Sequence, residues 1–197
     1  MKIRVYRYLE KTRMAGPGSR FCLWVQGCGR CCDGCMAVET WPHDGGTLVH
    51  IDEMCSLISE TPGIEGVTFL GGEPFEQAAV LSVLAYKIKS VGLSIVVFTG
   101  FTYEELLKSN DRDVQALLQT TDLLIDGPFV KNKFDLSRPW VGSSNQQYRF
   151  LTNRYSESDI ANVHNQIEVR ISPDGKTLIN GMGDFEKIKN LMTEVAE

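Results

Sequence analysis

Cys28, Cys32 and Cys35 stand at C-x3-C-x2-C spacing in the segment Gly27-Cys28-Gly29-Arg30-Cys31-Cys32-Asp33-Gly34-Cys35. Three thiolates are one too few for a closed tetrahedral metal site, and one too few for the four-cysteine ligation of an ordinary iron-sulfur cluster. A cube held by three thiolates keeps one iron free to bind a substrate or cofactor, which makes the centre reactive rather than structural. Other readings of the same residues remain open. Cys28-x2-Cys31 and Cys32-x2-Cys35 also form two abutting C-x-x-C pairs, the inventory of a four-cysteine zinc site. Zinc sites, however, draw their pairs from loops about a dozen residues apart, and these pairs share no spacer. A dithiol redox motif follows a strand and opens a helix, which a glycine-rich loop with four cysteines fits poorly. A disulfide framework needs an oxidising compartment. Met1 to Arg7 alternates charged and apolar residues instead of forming a hydrophobic leader, so reduced thiols and a cytoplasmic location are expected.

Something must position that loop. The 197 residues suit a single domain over 1–197, large enough to bury about 70% of its unfolded surface. No apolar run approaches the roughly 18 residues that span a bilayer, so no membrane role is expected. A net charge of −5 without a Lys/Arg block makes nucleic acid an unexpected partner. Apolar runs alternate with amphipathic stretches in a βαβα pattern. Phe21 to Gln26, Gly66 to Leu70, Leu93 to Phe98 and Asp122 to Ile125 read as strands, the middle two as runs buried on both faces. His50 to Glu60 and Glu76 to Val91 carry apolar residues at helical spacing, and Thr102 with Glu105 forms a capping box. After Pro128 a polar stretch runs to Gln147. The spacing then predicts a strand at Tyr148 to Leu151, a hairpin turning at Pro173-Asp174-Gly175 and an amphipathic helix from Asp184 to Val195.

In open α/β sheets and barrels, functional residues gather on the loops at the C-terminal ends of the strands. The Cys loop follows the first of these strands, Gly71-Gly72-Glu73-Pro74 the second and Thr99-Gly100 the third. Paired glycines permit close backbone approach to a ligand, and the following Glu and Pro fix a polar group and a turn. By itself such a turn is more often structural; one βα unit after the Cys loop it becomes a candidate ligand site. A branched side chain at Gly72 is then expected to weaken ligand binding and leave the metal in place.

Cys-x3-Cys-x2-Cys followed by Gly-Gly-Glu-Pro resembles the radical S-adenosylmethionine (SAM) superfamily. Within it, Gly16-Pro17-Gly18-Ser19-Arg20, Thr40-Trp41, Phe98 to Thr102, Asp126-Gly127-Pro128-Phe129 and Gly142-Ser143-Ser144-Asn145-Gln146 resemble the activating proteins of anaerobic ribonucleoside-triphosphate reductase. The likeness runs from about residue 10 to 150. It implies a truncated parallel (β/α) barrel, with a C-terminal hairpin and helix over about 151–197 that a minimal activator would not require. It implies a 4Fe-4S cluster on Cys28, Cys32 and Cys35 whose free iron chelates SAM. Reductive cleavage of SAM would yield a 5'-deoxyadenosyl radical that takes hydrogen from a glycine of a partner enzyme, such as the anaerobic ribonucleotide reductase large subunit. Gly71, Gly72, Glu73 and Pro74 would hold the SAM amino group, and Thr99 would approach the nucleoside. Flavodoxin or ferredoxin would donate the electron. Gly34 matches the reductase activators, whereas Met36 and Ala37 replace their usual Tyr and Asn and alter the local wall.

Two rivals remain at this stage: a radical SAM enzyme that modifies a peptide or small metabolite directly, and a metal-binding interaction module without turnover. Cys31 reads as a bystander beside a ligand, Cys22 and Cys55 as small buried hydrophobes. His43, His50 and His164 are scattered and read as surface or structural residues, and Arg20 and Arg30 as solvated charges.

Overall fold

The structure is a computed structural model that describes residues 1–183. Strands β1 (Lys2–Thr12), β2 (Arg20–Val25) and β3 (Thr47–His50) precede helix α1 (Ile51–Glu60). Then come β4 (Gly66–Gly71), α2 (Ala78–Ser90), β5 (Ser94–Phe98), α3 (Tyr103–Lys108), α4 (Arg112–Thr120), β6 (Leu123–Asp126) and β7 (Gln147–Phe150). A separate hairpin of β8 (Ile167–Ile171) and β9 (Thr177–Gly181) follows.

Seven strands form one sheet in the order β3-β1-β2-β4-β5-β6-β7. The centre, β2-β4-β5-β6, is parallel, while β1, β3 and β7 run antiparallel to their neighbours. The expected α/β fold with a parallel centre is present, and the sheet does not close: it is open, with β3 and β7 at its edges. Closing a barrel takes about eight tilted strands, and here only four are parallel before antiparallel strands finish both sides. The four central strands lie where the apolar runs placed them, because a strand covered on both faces is apolar at consecutive positions. Strands β1 and β3 and helix α4 lay outside the sequence reading. The expected helix over Glu76 to Val91 begins instead as a 3-10 turn, Pro74–Gln77, before α2. The capping box of Thr102 and Glu105 is present at α3. The hairpin turns through Ser172 to Lys176 with Gly175 at φ 80°, as the Pro-Asp-Gly signal predicts. The expected helix from Asp184 to Val195 lies outside the described residues.

The two faces of the sheet are covered differently. Phe21, Leu23, Val67, Phe69, Ile95 and Val97 point to one face and pack against α1, α2 and α4 in the main core. The alternate residues Cys22, Trp24, Leu70, Val96 and Phe98 belong to two smaller clusters on the other face, to which no helix among the described residues contributes. At the N-terminal ends of the parallel strands, Arg20 is 0% exposed rather than solvated. Its guanidinium donates to Thr68 Oγ1, the carbonyls of Pro17, Val67 and Ser94, Ser94 Oγ and the Tyr155 hydroxyl, which ties β2, β4 and β5 together. Among the described residues no helix is long and apolar enough to cross a membrane.

Candidate metal centre

The C-terminal ends of β2, β4, β5 and β6 present four loops to one rim. The first is the Cys loop, and it leaves β2 through Gly27 at φ 100°, a conformation a side chain would resist. Both stems are fixed by backbone: Gly27 N donates to Thr40 O at 2.7 Å and Cys28 N to Trp41 O at 3.1 Å. Glu76, in the turn after β4, accepts from Gly29 N at 2.7 Å through Oε1 and meets His43 Nε2 at 2.8 Å through Oε2. Arg30 lies over the Phe101 ring at 4.8 Å and reaches Glu105 at 3.5 Å. Glu76, His43, Arg30 and Phe101 carried no sequence signal as a group, because each tie joins residues more than 30 positions apart.

Cys28, Cys32 and Cys35 are half-buried on this loop, and Cys31 is exposed. Cys31 sits at φ 42° and turns its thiol back toward Cys28 O at 3.2 Å. Cys35 N donates to Cys32 O, and Ala37 N donates to Cys35 Sγ at 3.4 Å. Burial pushes the Cys28 thiol above its usual pKa, against backbone donors from Arg30 and Cys31. Among the described residues no three His, Cys, Asp or Glu side chains converge as a preformed metal cage. The three cysteines therefore share a loop and a rim, with side chains accessible from outside. The donor set suits iron-sulfur chemistry: soft sulfur ligands, with a backbone N–H already directed at one of them, the kind of hydrogen bond that tunes such clusters.

The second rim loop is Gly71-Gly72-Glu73-Pro74. Glu73 is 1% exposed and bridges two loops. Its Oε1 accepts from Phe75 N at 3.0 Å and Thr99 Oγ1 at 2.8 Å, and its Oε2 accepts from Gly100 N at 2.8 Å. Burial pushes this carboxyl up to about 7, opposed by those three donors. Thr99 is buried as well, its hydroxyl also accepting from Phe101 N at 3.1 Å. Gly71 stands at φ 103°, where a Cβ would lie 2.8 Å from Trp24 Cα. A Cβ on Gly72 would lie 2.2 Å from the carbonyl oxygen of Gly27. Both glycines thus admit the backbone of β2 and the Cys loop, and Glu73 N completes the junction by donating to Gly27 O at 2.8 Å. Pro74 is buried at the start of the 3-10 turn. The structure brings Cys28, Gly72, Glu73 and Thr99 into one connected rim, in which both oxygens of Glu73 are engaged by the protein itself.

The third and fourth loops are joined by Gly127 N donating to Phe101 O at 2.8 Å, and the fourth carries Phe129. Asn145 Nδ2 donates to Pro128 O at 2.8 Å, and Gln146 Oε1 accepts from Gly142 N at 2.8 Å. The Phe129 ring lies 3.2 Å from where a Cβ of Gly34 would stand, which explains the glycine before the third cysteine.

A family model described as "4Fe-4S single cluster domain" matches residues 14–149. The anaerobic ribonucleoside-triphosphate reductase-activating protein of Haemophilus influenzae is 32% identical over 148 residues, which cover 71% of this chain and 93% of that protein. Its counterpart in Vibrio cholerae is 34% identical, over 72% of this chain and 94% of that protein. That of Enterobacteria phage T4 is 30% identical, over 67% and 84%. Among solved structures, QueE from Escherichia coli covers 52% of this chain and 54% of its own at 18% identity and a TM-score of 0.42, a likeness too partial to bear on the fold. This chain belongs to the family of anaerobic ribonucleoside-triphosphate reductase-activating proteins and carries a single-cluster 4Fe-4S domain.

Proposed function

We propose that the chain installs a glycyl radical on a partner enzyme of the anaerobic ribonucleotide reductase class, with SAM as the radical source. The observation that carries this reading is the rim itself: three accessible thiols on a loop whose backbone is locked to the turn after β4. Cys28, Cys32 and Cys35 would hold the cluster, which when bound supplies the electron that splits the SAM sulfonium and leaves an open iron for the methionyl group. The protein's own part is orientation. With both Glu73 oxygens taken, Gly71 to Pro74 would face the methionyl amino group through their backbone, and Glu73 would act by holding that backbone and Thr99 in place. Trp24, Leu70 and Phe98 line the helix-free face beneath the rim and would exclude water from the reacting atoms. The open, mostly parallel sheet would serve as a partial barrel of the radical SAM type. A small one-electron protein such as flavodoxin or ferredoxin would reach the accessible Cys loop in a cytoplasmic setting.

The test is anaerobic incubation of the reconstituted protein with dithionite, SAM and the reductase large subunit, followed by electron paramagnetic resonance. A glycyl radical doublet on the partner is expected. Rapid turnover of a free peptide, nucleotide or sugar with no radical on any partner would transfer the assignment to direct substrate modification.

A further inference from the structure

The match to the single-cluster domain ends at residue 149, and the Haemophilus and Vibrio relatives use 93% and 94% of their own length to match 71% and 72% of this chain. The residues that follow position 149 do not trail from the sheet edge. They run along its helix-free face, starting at the N-terminal ends of the parallel strands. The Tyr155 hydroxyl accepts from Arg20 Nη1 at 2.9 Å and pairs with Ser94 Oγ at 2.7 Å. Ile160 and Val163 then pack on the cluster of Val96, Leu123, Ile125 and Trp140. Asn165 binds the 136–140 segment at three points, accepting from Trp140 N and donating to Leu136 O and Arg138 O.

The hairpin continues this cover across the same face. Glu168 Oε2 accepts from Thr12 Oγ1 at 2.7 Å, and the buried Asn180 donates to the same hydroxyl at 3.1 Å, fixing both hairpin strands to the end of β1 that pairs with Arg20, away from the rim. Leu178 packs against the cluster that contains Cys22 and Trp24. Met182 Cε lies 3.5 Å from where a Cβ of Gly142 would stand, a point also 3.2 Å from the Phe129 ring. Phe129 in turn faces Gly34 of the Cys loop. Met182, directly after β9, and Phe129 thus flank Gly142, and Phe129 in turn borders the Cys loop.

We infer that the segment 151–182 is a wall of the chamber in which the radical meets its acceptor, with Leu178 and Met182 as the residues that set how closely that chamber fits the partner's glycine segment and how well it excludes water. The inference rests on the proposed function. The single-cluster domain ends at residue 149, before this segment, so the closure belongs to residues of this chain outside that domain.

The test uses the full-length protein with Leu178→Ala and Met182→Ala combined. First, iodoacetamide labelling of the metal-free protein is mapped by peptide mass spectrometry. Cys22, 0% exposed and pushed by burial up to about 12, should be inert in the parent and react in the double variant. Unchanged protection of Cys22 overturns the wall, whatever the catalytic reading. Second, after reconstitution, the ratio of 5'-deoxyadenosine released to glycyl radical formed should rise several-fold in the double variant, with iron content and SAM affinity as in the parent. An unchanged ratio, with Cys22 exposed, overturns the role of the wall. Tyr155→Phe, which alters the same segment at the far end of the strands, should lower the melting temperature and leave the ratio alone; an equal rise there would reduce the effect to general destabilisation and overturn the inference. A parent protein that protects Cys22 yet cleaves no SAM would instead count against the proposed function.

Discussion

The two loops that meet at Gly27 and Gly72 handle polar groups in opposite ways. The Cys loop leaves three thiols half-buried and one exposed, and is held through backbone stems and partly exposed side-chain ties. The Gly-Gly-Glu-Pro turn buries its acid completely and surrounds it with three donors. One loop offers its chemistry outward, and the other turns its most polar group inward to fix the geometry of the rim. A carboxylate beside a metal site is easily read as a ligand contact, but an acid at 1% exposure with every oxygen engaged is first a strut.

The largest effects should come from the outward loop. Cys28→Ala, Cys32→Ala and Cys35→Ala should each lose the cluster after anaerobic reconstitution, since two thiolates do not hold a cube, whereas Cys31→Ala should keep it. Iron content and the visible absorption of the purified variants decide the matter. Equal loss in Cys31→Ala would mean a four-thiolate site and end the contrast between ligand and bystander. Gly72→Val tests the junction of the two loops. A branched residue was expected to weaken SAM binding alone, but the Gly27 carbonyl already fills the space where its Cβ would go. The variant should therefore lose iron together with SAM affinity, and a normal iron load would show that the loops tolerate separation.

Glu73 tests the inward loop. Replacing it with Ala leaves Phe75 N, Gly100 N and the Thr99 hydroxyl without their acceptor, at about 1–3 kcal/mol for each group that stays buried and unpaired. Glu73→Gln keeps the volume but loses one acceptor oxygen, so a smaller drop is expected. The pH dependence has a definite sign. The folded state holds this proton more tightly than the unfolded chain, with the carboxyl raised from 4.5 to about 7. Its contribution to stability is fully present below the unfolded value and is lost as pH rises through about 7. Urea unfolding of the parent across that window should show this decline, and Glu73→Gln should flatten it. Identical slopes in the two proteins would refute the burial argument.

What was legible in the sequence divides along the same line. The Cys loop could be read as a candidate site because spacing alone limits what three thiols on one short loop can hold, and its place on the rim follows from the strand it leaves. The parallel strands could be read because burial on both faces makes an unbroken apolar run, as in Ile95-Val96-Val97. Strand β1 was missed because only Ile3, Val5, Leu9 and Thr12 of its eleven residues are buried, a pattern broken by register shifts. Helix α4 was missed although Asp111 caps it and Val114, Leu117 and Leu118 bury one side, a stripe too short to stand out. Closure of the sheet depends on strand count and on how both edges finish, which local patterns do not contain. The direction of the Glu73 carboxylate was equally hidden, since its partner Thr99 lies 26 positions away. So was the fate of the C-terminal hairpin, whose turn was plain but whose docking face was not.

The smallest effect should come from Arg30, and it separates the two loops most finely. Its guanidinium stacks on Phe101 at 4.8 Å and pairs with Glu105 at 3.5 Å, with the two side chains 27% and 47% exposed. Such a pair is worth roughly 0.5–1 kcal/mol, so Arg30→Ala should barely move the urea midpoint. Yet the residue sits between Cys28 and Cys32 and is the only side chain of the loop seen stacking on the loop after β5 among the described residues. If many weak ties hold the Cys loop, losing this one should raise the rate at which a chelator strips iron from the reconstituted protein while global stability stays put. If the backbone stems at Gly27 and Cys28 are sufficient, the iron release rate should match the parent, and the Cys loop would be as self-contained as the turn around Glu73.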